Sequence, residues 1–360
     1  MKRILTRALL LTLSLALLIL PVGCGQDDTV GTVSGDFVFY ELSDGTVGVG
    51  INPERKDAVE TVSIPADFEE KPVTRVIGGG FANCPRLAGA VLPVGVTAVD
   101  AYAFSDCALL SSITLPETLF SIGGYAFSGC RSLEGVTVPN SVASMGAYAF
   151  SYCSGLRQIT LSEDLTALPD YLFYGCAVLP SIDIPDAVTA LGIGAFQNCS
   201  NLAQIHFGRS VESFAENTFT GCHAIASFTV DEQNTHFFAQ SGILYNNPVT
   251  EIVYAPPKLA GDIVFPEGVT EIAASLFANT SGITSLTIPD SMMVIGAYAF
   301  SKCSTLTHVY FVTPTRWTAI YTPALLSKTE LSDPVRAATY LRDTYARDRW
   351  VIGNHLQDLQ

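Results

Sequence analysis

The stretch CALLSSITLPETLFSIGGYAFSGC, residues 107–130, decides the fold of this chain. Ile113 and Leu115 alternate with polar neighbours, which predicts a short strand with one buried and one exposed face. Pro116 ends the strand, because proline cannot donate to a hydrogen-bond ladder. The segment 123–127 is too short for a full helix and predicts a helical or 3₁₀ turn. The stretch therefore predicts a single coil made of a strand and a turn.

The same unit recurs with a period of 23 residues along most of the chain. Each unit carries a phenylalanine three residues before a cysteine, and one unit keeps Phe277 but has Thr280 instead of the cysteine. A fixed period of this size indicates a solenoid, with equivalent strands ~4.8 Å apart in a parallel sheet. The cysteines concerned are Cys84, Cys107, Cys130, Cys153, Cys176, Cys199, Cys222 and Cys303.

The repeated pattern is Leu-x-x-Ile-x-Leu-Pro-x-x-Leu-x-x-Ile-Gly-x-x-Ala-Phe-x-x-Cys, and it resembles the BspA-like (treponemal-type) bacterial leucine-rich repeat. The resemblance implies an α/β repeat solenoid, a right-handed superhelix with a parallel β-sheet on one face. We expect the repeats to cover residues 81–311. One coil is longer than the others, and two apolar runs on either side of Asn246-Asn247 predict a hairpin island at about 231–257.

Both ends of the repeat array are expected to carry caps, because an open sheet edge invites aggregation. Residues 36–80 resemble the N-terminal cap of such proteins and predict a β-rich cap with an Asp44-Gly45 hairpin turn. Residues 312–360 predict a C-terminal cap. Apolar residues recur there at helical spacing after Pro334, which indicates a helix at about 335–349.

The composition narrows the class of protein further. Of the 360 residues, 48% are hydrophobic and only 15% are charged, and the net charge is −15. Outside the first 23 residues no apolar run approaches the ~20 residues of a membrane span. So apolar a chain is not expected to be disordered. The acidic balance disfavours nucleic acid and anionic lipid as partners.

The N-terminus has the pattern of an export signal. Three basic residues precede an uncharged, leucine-rich stretch that ends at Pro21-Val22-Gly23-Cys24. This resembles the lipobox of bacterial lipoproteins, except that Pro21 stands where leucine is usual. The resemblance implies a signal peptide at 1–23, lipidation of Cys24 and a flexible tether at 24–35. Loss of the three bases would change the charge from −15 to −18. The alternatives are a buried cysteine or an uncleaved anchor.

The other eight cysteines do not have the spacing of a zinc site, and parallel side chains in neighbouring coils suit disulfide geometry poorly. We expect free thiols that fill the corner of each coil, with disulfides as the alternative. The five histidines are scattered, and we find no known nucleophile elbow, nucleotide fingerprint or phosphate loop. We therefore predict no catalytic residue, no metal site and no cofactor, and a chain that is not an enzyme.

The exposed strand positions predict a surface of small hydroxyl and amide side chains. Asp183 and His206 are expected to be neighbours on adjacent strands, and they form a polar cluster with nearby amides. The simpler interpretation is a solvated cross-strand pair. The candidate binding face consists of Gln158, Thr160, Asp183, Gln204 and His206.

These observations predict an exported, membrane-anchored, non-catalytic binding scaffold. The family resemblance implies a cell-surface protein that binds a host or bacterial protein partner or acts in adhesion, held to the membrane by its N-terminal lipid. A glycan-binding lipoprotein is one alternative, which exposed aromatic residues on the island would favour. An enzyme with a site not recognisable from sequence is the other.

Overall fold

The computed structural model describes residues 31–313, 317–319 and 324–352. The predicted signal peptide at 1–23 and Cys24 lie outside these residues. The described chain is a parallel β-solenoid of about 12 turns. The predicted fold class, a repeat solenoid with a parallel sheet on one face, is confirmed.

One long face of the solenoid, which we call the front sheet, contains a strand from nearly every coil. Its strands run parallel and form four consecutive hydrogen-bonded ladders. Inward side chains are buried and outward ones exposed, as the alternation in the sequence predicts. The strands are Thr61–Ser63, Gly89–Val91, Ser112–Thr114, Gly135–Thr137, Gln158–Thr160, Ser181–Ile184, Gln204–Phe207, Ser227–Val230, Ala260–Val264, Gly282–Ile288 and His308–Phe311.

A second face contains two-residue strands that the sequence analysis missed. They arise where the isoleucine or equivalent residue of the Leu-x-x-Ile segment turns its side chain into the core, as Ile122 does. Equivalent residues pair in parallel from coil to coil, for example Ser121 with Ser144. These strands are Ala98–Val99, Ser121–Ile122, Ser144–Met145, Ala167–Leu168, Ala190–Leu191, Ser213–Phe214, Glu271–Ile272 and Val294–Ile295.

The third face, which we call the turn face, consists of consecutive turns where the sequence predicts a helical or 3₁₀ turn. Alternate amides leave their own coil: Tyr102 N–H donates to Gly124 O at 2.9 Å, whereas Ala103 N–H donates back to Asp100 O at 3.2 Å. A helix would direct every amide back along its own chain. About half of the amides that would form a helix therefore donate to the neighbouring coil instead. The turn face comprises residues 77–83, 100–106, 123–129, 146–152, 169–175, 192–198, 215–221, 273–279 and 296–302.

At the N-terminus an antiparallel meander joins the second face. Its last strand pairs in parallel with Lys71–Val76, which in turn pairs with the first two-residue strand. The meander therefore covers the first coil edge. The remaining strands here are Thr32–Ser34, Phe37–Glu41, Val47–Ile51 and Asp67–Phe68.

The long coil carries a three-stranded antiparallel island. Its strands are Phe237–Gln240, Ile243–Asn246 and Ile252–Tyr254. Gly242 O accepts from Phe228 N–H at 3.0 Å, so the island is tied to the last front-sheet strand before it. These three strands lie within residues 231–257, where the sequence predicts a hairpin.

The C-terminal segment folds into short helical pieces and an antiparallel sheet. In the first helix, Ser327 and Glu330 form a capping box. Asp333 caps the second helix by accepting from Val335 N–H at 3.1 Å, with Pro334 at the first helical position. Where the sequence predicts one helix at about 335–349, the structure has a short α-helix continued by a π-helical turn. The elements are Trp317–Ala319, Ala324–Leu326, Lys328–Leu331, Pro334–Thr339, Tyr340–Thr344 and Trp350–Ile352.

The interior is built from stacked columns, and the phenylalanine column shows why the repeat is strict. Phe104 and Phe127 stack with ring centroids 5.5 Å apart, and Phe127 and Phe150 with centroids 5.2 Å apart. Each of the cysteines after Cys84 lies against the phenylalanine of the preceding coil. The Cys130 thiol, for example, donates to Phe104 O at 3.2 Å. The Phe-x-x-Cys spacing therefore satisfies a buried carbonyl group in every such coil.

The buried apolar residues form two groups that meet at the island. The first group runs from Phe39 to Leu244, and the second runs from Ile243 to Trp350. Leu244 and its neighbours Ile243 and Tyr245 therefore point into different cores. The island is the only element described by the structure whose side chains contribute to both groups.

Candidate functional site

The outward face of the front sheet is the candidate site, and its residues stand in columns set by the strand register. Gly135 pairs with Gln158 and Thr137 with Thr160. Side chains at these positions point to solvent because the alternate residues fill the core. The sequence-predicted residues Gln158 and Thr160 are exposed.

A groove runs across the front sheet where Gly135 lacks a side chain. It has a volume of about 490 Å³ and is lined by Thr114, Glu117, Thr137, Gln158 and Thr160, among others. A methyl group added at Gly135 would meet only Gln158 O, at 3.7 Å, so the space above this strand is open. The groove offers hydroxyl, amide and carboxylate groups, which can bind the polar surface of a partner.

The other three predicted residues belong to the next ladder along the solenoid. Asp183 pairs in register with His206, as the sequence predicts, and Ser181 pairs with Gln204. The ring of His206 is bonded to Thr229, with 2.9 Å between Nδ1 and Oγ1. Among the described residues, Asp183 and His206 form no ion pair. The five predicted residues therefore lie on one face but in two separate ladders.

An ion pair at the end of these strands was missed by sequence reasoning. The Arg209 guanidinium bonds the Asp186 carboxylate, and Arg209 N–H donates to Asp186 Oδ1 at 3.1 Å. The guanidinium holds the pKa of Asp186 below its ordinary value. The two residues are 23 positions apart, so the repeat period itself was the available signal.

A row of tyrosines on the turn face, of which Tyr102 is exposed and the other three are half-buried, was also missed. Tyr102, Tyr125, Tyr148 and Tyr171 stack in consecutive coils, with ring centroids 4.6–4.8 Å apart. We call these four residues the tyrosine ladder. They too recur with the repeat period, and this was the signal in the sequence.

The thiols inside the coils are free and inaccessible. All eight described cysteines are unpaired and buried. Burial raises the pKa of the Cys130 and Cys176 thiols to about 12. Such thiols are poor nucleophiles at neutral pH, so their role in the structure is to pack and to donate to the phenylalanine carbonyls.

Residues 31–313, 317–319 and 324–352 contain no group of three or more His, Cys, Asp or Glu side chains placed to hold a metal ion. Within the same ranges, no helix is both long and apolar enough to cross a bilayer.

A repeat solenoid with a polar front sheet is the architecture of leucine-rich repeat proteins. The family model for the BspA type leucine rich repeat region, in six copies, matches residues 74–178, 121–250 and 258–334. These matches cover more than half of the chain, so the chain belongs to the BspA-type leucine-rich repeat proteins. No protein among those with curated functions matches it.

Solved structures agree on the fold. A leucine rich cell surface protein from Faecalibacterium prausnitzii is 24% identical, with 79% of this chain and 77% of that chain covered and a TM-score of 0.51. The leucine-rich repeat protein of T. pallidum is 30% identical, with 54% of this chain and 91% of that chain covered and a TM-score of 0.50.

Proposed function

We propose that this chain is an exported, membrane-anchored, non-catalytic scaffold that binds a protein partner through its front sheet. The observation that carries the proposal is the groove over Gly135, whose wall contains Gln158 and Thr160. A rigid sheet presents these groups without loop ordering, so little conformational entropy is lost on binding. Asp183, Gln204 and His206 extend the same face into the next ladder.

Substitution in the groove tests this proposal. Gly135→Leu adds a side chain over the groove floor, where the added Cβ makes an ordinary contact. Gly89→Leu is the matched control, because Gly89 also begins a front-sheet strand and an added Cβ would lie 3.5 Å from Ser112 Oγ. We expect the full chain to bind one or more immobilised matrix or cell-surface proteins, and Gly135→Leu to weaken that binding. If both variants bound the partner equally well, the groove would be excluded as the binding site.

A glycan array with the same variants separates the alternative function. On the island Phe238 is 37% exposed, and on the front sheet Tyr310 is exposed and stacks with His308. These aromatic residues favour a glycan as the second candidate ligand. Array binding that is lost in Phe238→Ser or Tyr310→Ser, with no protein partner affected by Gly135→Leu, would replace the proposed function with glycan binding.

We also propose that residues 1–23 are removed as a signal peptide, that Cys24 is lipidated and that 24–35 serve as the tether. The support is the lipobox-like Val22-Gly23-Cys24. The F. prausnitzii protein with this fold is described as a cell surface protein. More than one acyl chain would hold the protein firmly, since a single chain binds a bilayer only marginally.

Protease treatment of intact cells tests the location. We expect the native chain to be cleaved on intact cells and to remain with the membrane fraction, and Cys24→Ala to leave that fraction. Resistance to protease until the cells are broken would contradict the cell-surface location. Retention of Cys24→Ala in the membrane fraction would contradict the lipid anchor.

A further inference from the structure

The tyrosine ladder occupies a backbone position that favours other residues. Its four tyrosines have φ between +55° and +60°. Side chains with a Cβ are strained in this region, and glycine or asparagine usually occupies it. In other coils the same position holds Gly79, Gly194, Asn217, Ser275 or Tyr298, also with positive φ. The turn thus imposes the same strained backbone on every coil, and in four consecutive coils this position is filled by a tyrosine and not by glycine or asparagine, which would be less strained.

The ladder leaves one ring face and a row of ring edges open. Each inner ring is covered on both faces by its neighbours. Tyr102 is 43% exposed, and the equivalent position in the preceding coil is Gly79, which has no side chain to cover the ring. The other end closes: Tyr171 lies over Gly194, where an added Cβ would be 2.5 Å from its Cε1. The open surface is therefore the outer face of Tyr102 together with the hydroxyl edges.

The charged residues on the turn face next to the ladder are acidic, although Asp100 already forms an ion pair with Arg75 of the preceding coil, with 3.2 Å between Oδ1 and the guanidinium nitrogen. In the turn-face segments from 100–106 to 215–221, the charged residues are three aspartates and one glutamate, and the lysine Lys302 lies in the distant segment 296–302. Asp170 is close enough to Tyr148 to contribute to the raised pKa of its hydroxyl, for which desolvation is the main cause. The acidic residues are Asp100, Asp106, Asp170 and Glu216.

We propose that the tyrosine ladder is a second docking surface, separate from the front sheet, that takes a basic, arginine- or lysine-bearing segment of a partner protein. A guanidinium or ammonium group can stack on the open face of Tyr102, and the flanking carboxylates attract it. The row of hydroxyls offers hydrogen bonds to the rest of the segment. Tyrosine suits such a surface, since it supplies a large contact area with few rotatable bonds.

Charge and geometry disfavour the other occupants. A second copy would bring another acidic face against this one, and like charges repel. A sugar chain that stacks on successive ring faces would find the inner faces closed, because the rings cover one another. A basic segment requires only one open face, a row of hydroxyls and nearby carboxylates.

The test uses the full chain and a labelled synthetic peptide of alternating arginine and glycine, with a glutamate-for-arginine peptide as the probe control. The variant is Tyr102→Asn with Tyr125→Asn, because Asn217 shows that asparagine is accepted at this backbone position. The matched control is Tyr298→Asn, which changes the same position in a distant coil. We expect the double variant to weaken binding of the arginine peptide about tenfold. We expect Tyr298→Asn to leave this binding unchanged.

A second variant and two parallel measurements keep the proposal falsifiable. Asp106→Asn with Asp170→Asn should also weaken binding, and added salt should weaken it in the native chain. Unchanged binding in the tyrosine variant, or equal binding of the glutamate peptide, would overturn the proposal. So would ladder-dependent self-association in sedimentation, or ladder-dependent binding on a glycan array. Gly135→Leu should bind the peptide normally, so failure of the front-sheet function is distinguishable.

Discussion

Several positions of the repeat make their main contacts with the neighbouring coil and not within their own coil. The Cys153 thiol donates to Phe127 O, 26 residues earlier, at 3.1 Å. Gly194 is needed where it stands because Tyr171 occupies the space in which a side chain would lie. The phenylalanine, the cysteine and this glycine therefore make contacts between neighbouring coils. Substituting any of them changes the packing of the adjacent coil as well as its own.

The first prediction concerns Gly194→Ala. Gly194 has φ +58° and an added Cβ would collide with Tyr171 Cε1, so we expect the free energy of unfolding to fall by more than the cost of backbone strain alone, about 1–2 kcal/mol. Gly261→Ala is the control, because its φ is +88° but nothing lies within 4 Å of an added Cβ. Denaturant unfolding measures both. Equal losses, or no relief of Gly194→Ala by Tyr171→Ala, would contradict the clash.

The second prediction concerns alkaline pH. Burial raises the pKa of Cys130 and Cys176 from 9.0 to about 12, so the unfolded chain loses these protons first. Stability is therefore retained below about pH 9 and falls as the pH rises toward about 12, by up to about 1.4 kcal/mol per pH unit for each thiol. Denaturant unfolding over this range measures the loss. A double variant with threonine at both positions, the residue found at position 280, should lose less; an identical pH profile would contradict the thiol origin.

At the scale of elements, each coil has three faces with different roles. The front sheet holds polar groups outward, the two-residue strands turn apolar side chains inward, and the turns exchange hydrogen bonds with the next coil. None of these pieces has the length of an independently stable strand or helix. Each is stable because the coils on both sides supply its hydrogen bonds and cover its apolar side chains.

The third prediction compares two phenylalanines seven residues apart. Phe127 is fully buried and stacks with rings in both neighbouring coils, so we expect Phe127→Ala to lower the free energy of unfolding by about 3–5 kcal/mol. Phe120 is 60% exposed, and we expect Phe120→Ala to change it by less than about 0.5 kcal/mol. Thermal or denaturant unfolding checks both values. A large effect at Phe120 would mean that the turn before the two-residue strand is packed in solution.

At the scale of the whole molecule, the solenoid contains two cores joined at the island. Contacts in a solenoid are made between adjacent coils, so stability is nearly a sum of local terms and cooperativity can break where the core is interrupted. The boundary between Ile243 and Leu244 is such an interruption.

The fourth prediction is that the chain unfolds in two steps. Phe127→Ala, in the first core, should lower the midpoint of only one transition, and Phe300→Ala, in the second core, should lower that of the other. Scanning calorimetry measures both midpoints. A single transition that moves equally with either substitution would show that the island couples the two cores completely.

The sequence by itself determined the solenoid, its period and which face of each strand is exposed. Phe127, Cys130 and their equivalents recur at a fixed spacing, and stacking the coils buries all of them together. The alternation of apolar and polar residues around Ile113 determines which side chains of the strand face the core and which face solvent. The exposed positions Gln158 and Thr160, and the pairing of Asp183 with His206, followed from the same period.

Only the tertiary structure decided what the neighbouring coils do to one another. The bond from His206 to Thr229, the groove over Gly135 and the stacking of the tyrosine ladder each depend on how neighbouring coils are placed against one another. The turns are not helical because half of their amides donate to the next coil and are not available for hydrogen bonds within a helix. The repeat period specifies which residues of neighbouring coils lie side by side. The distances between the coils determine which of these residues form hydrogen bonds, which stack and where a groove remains.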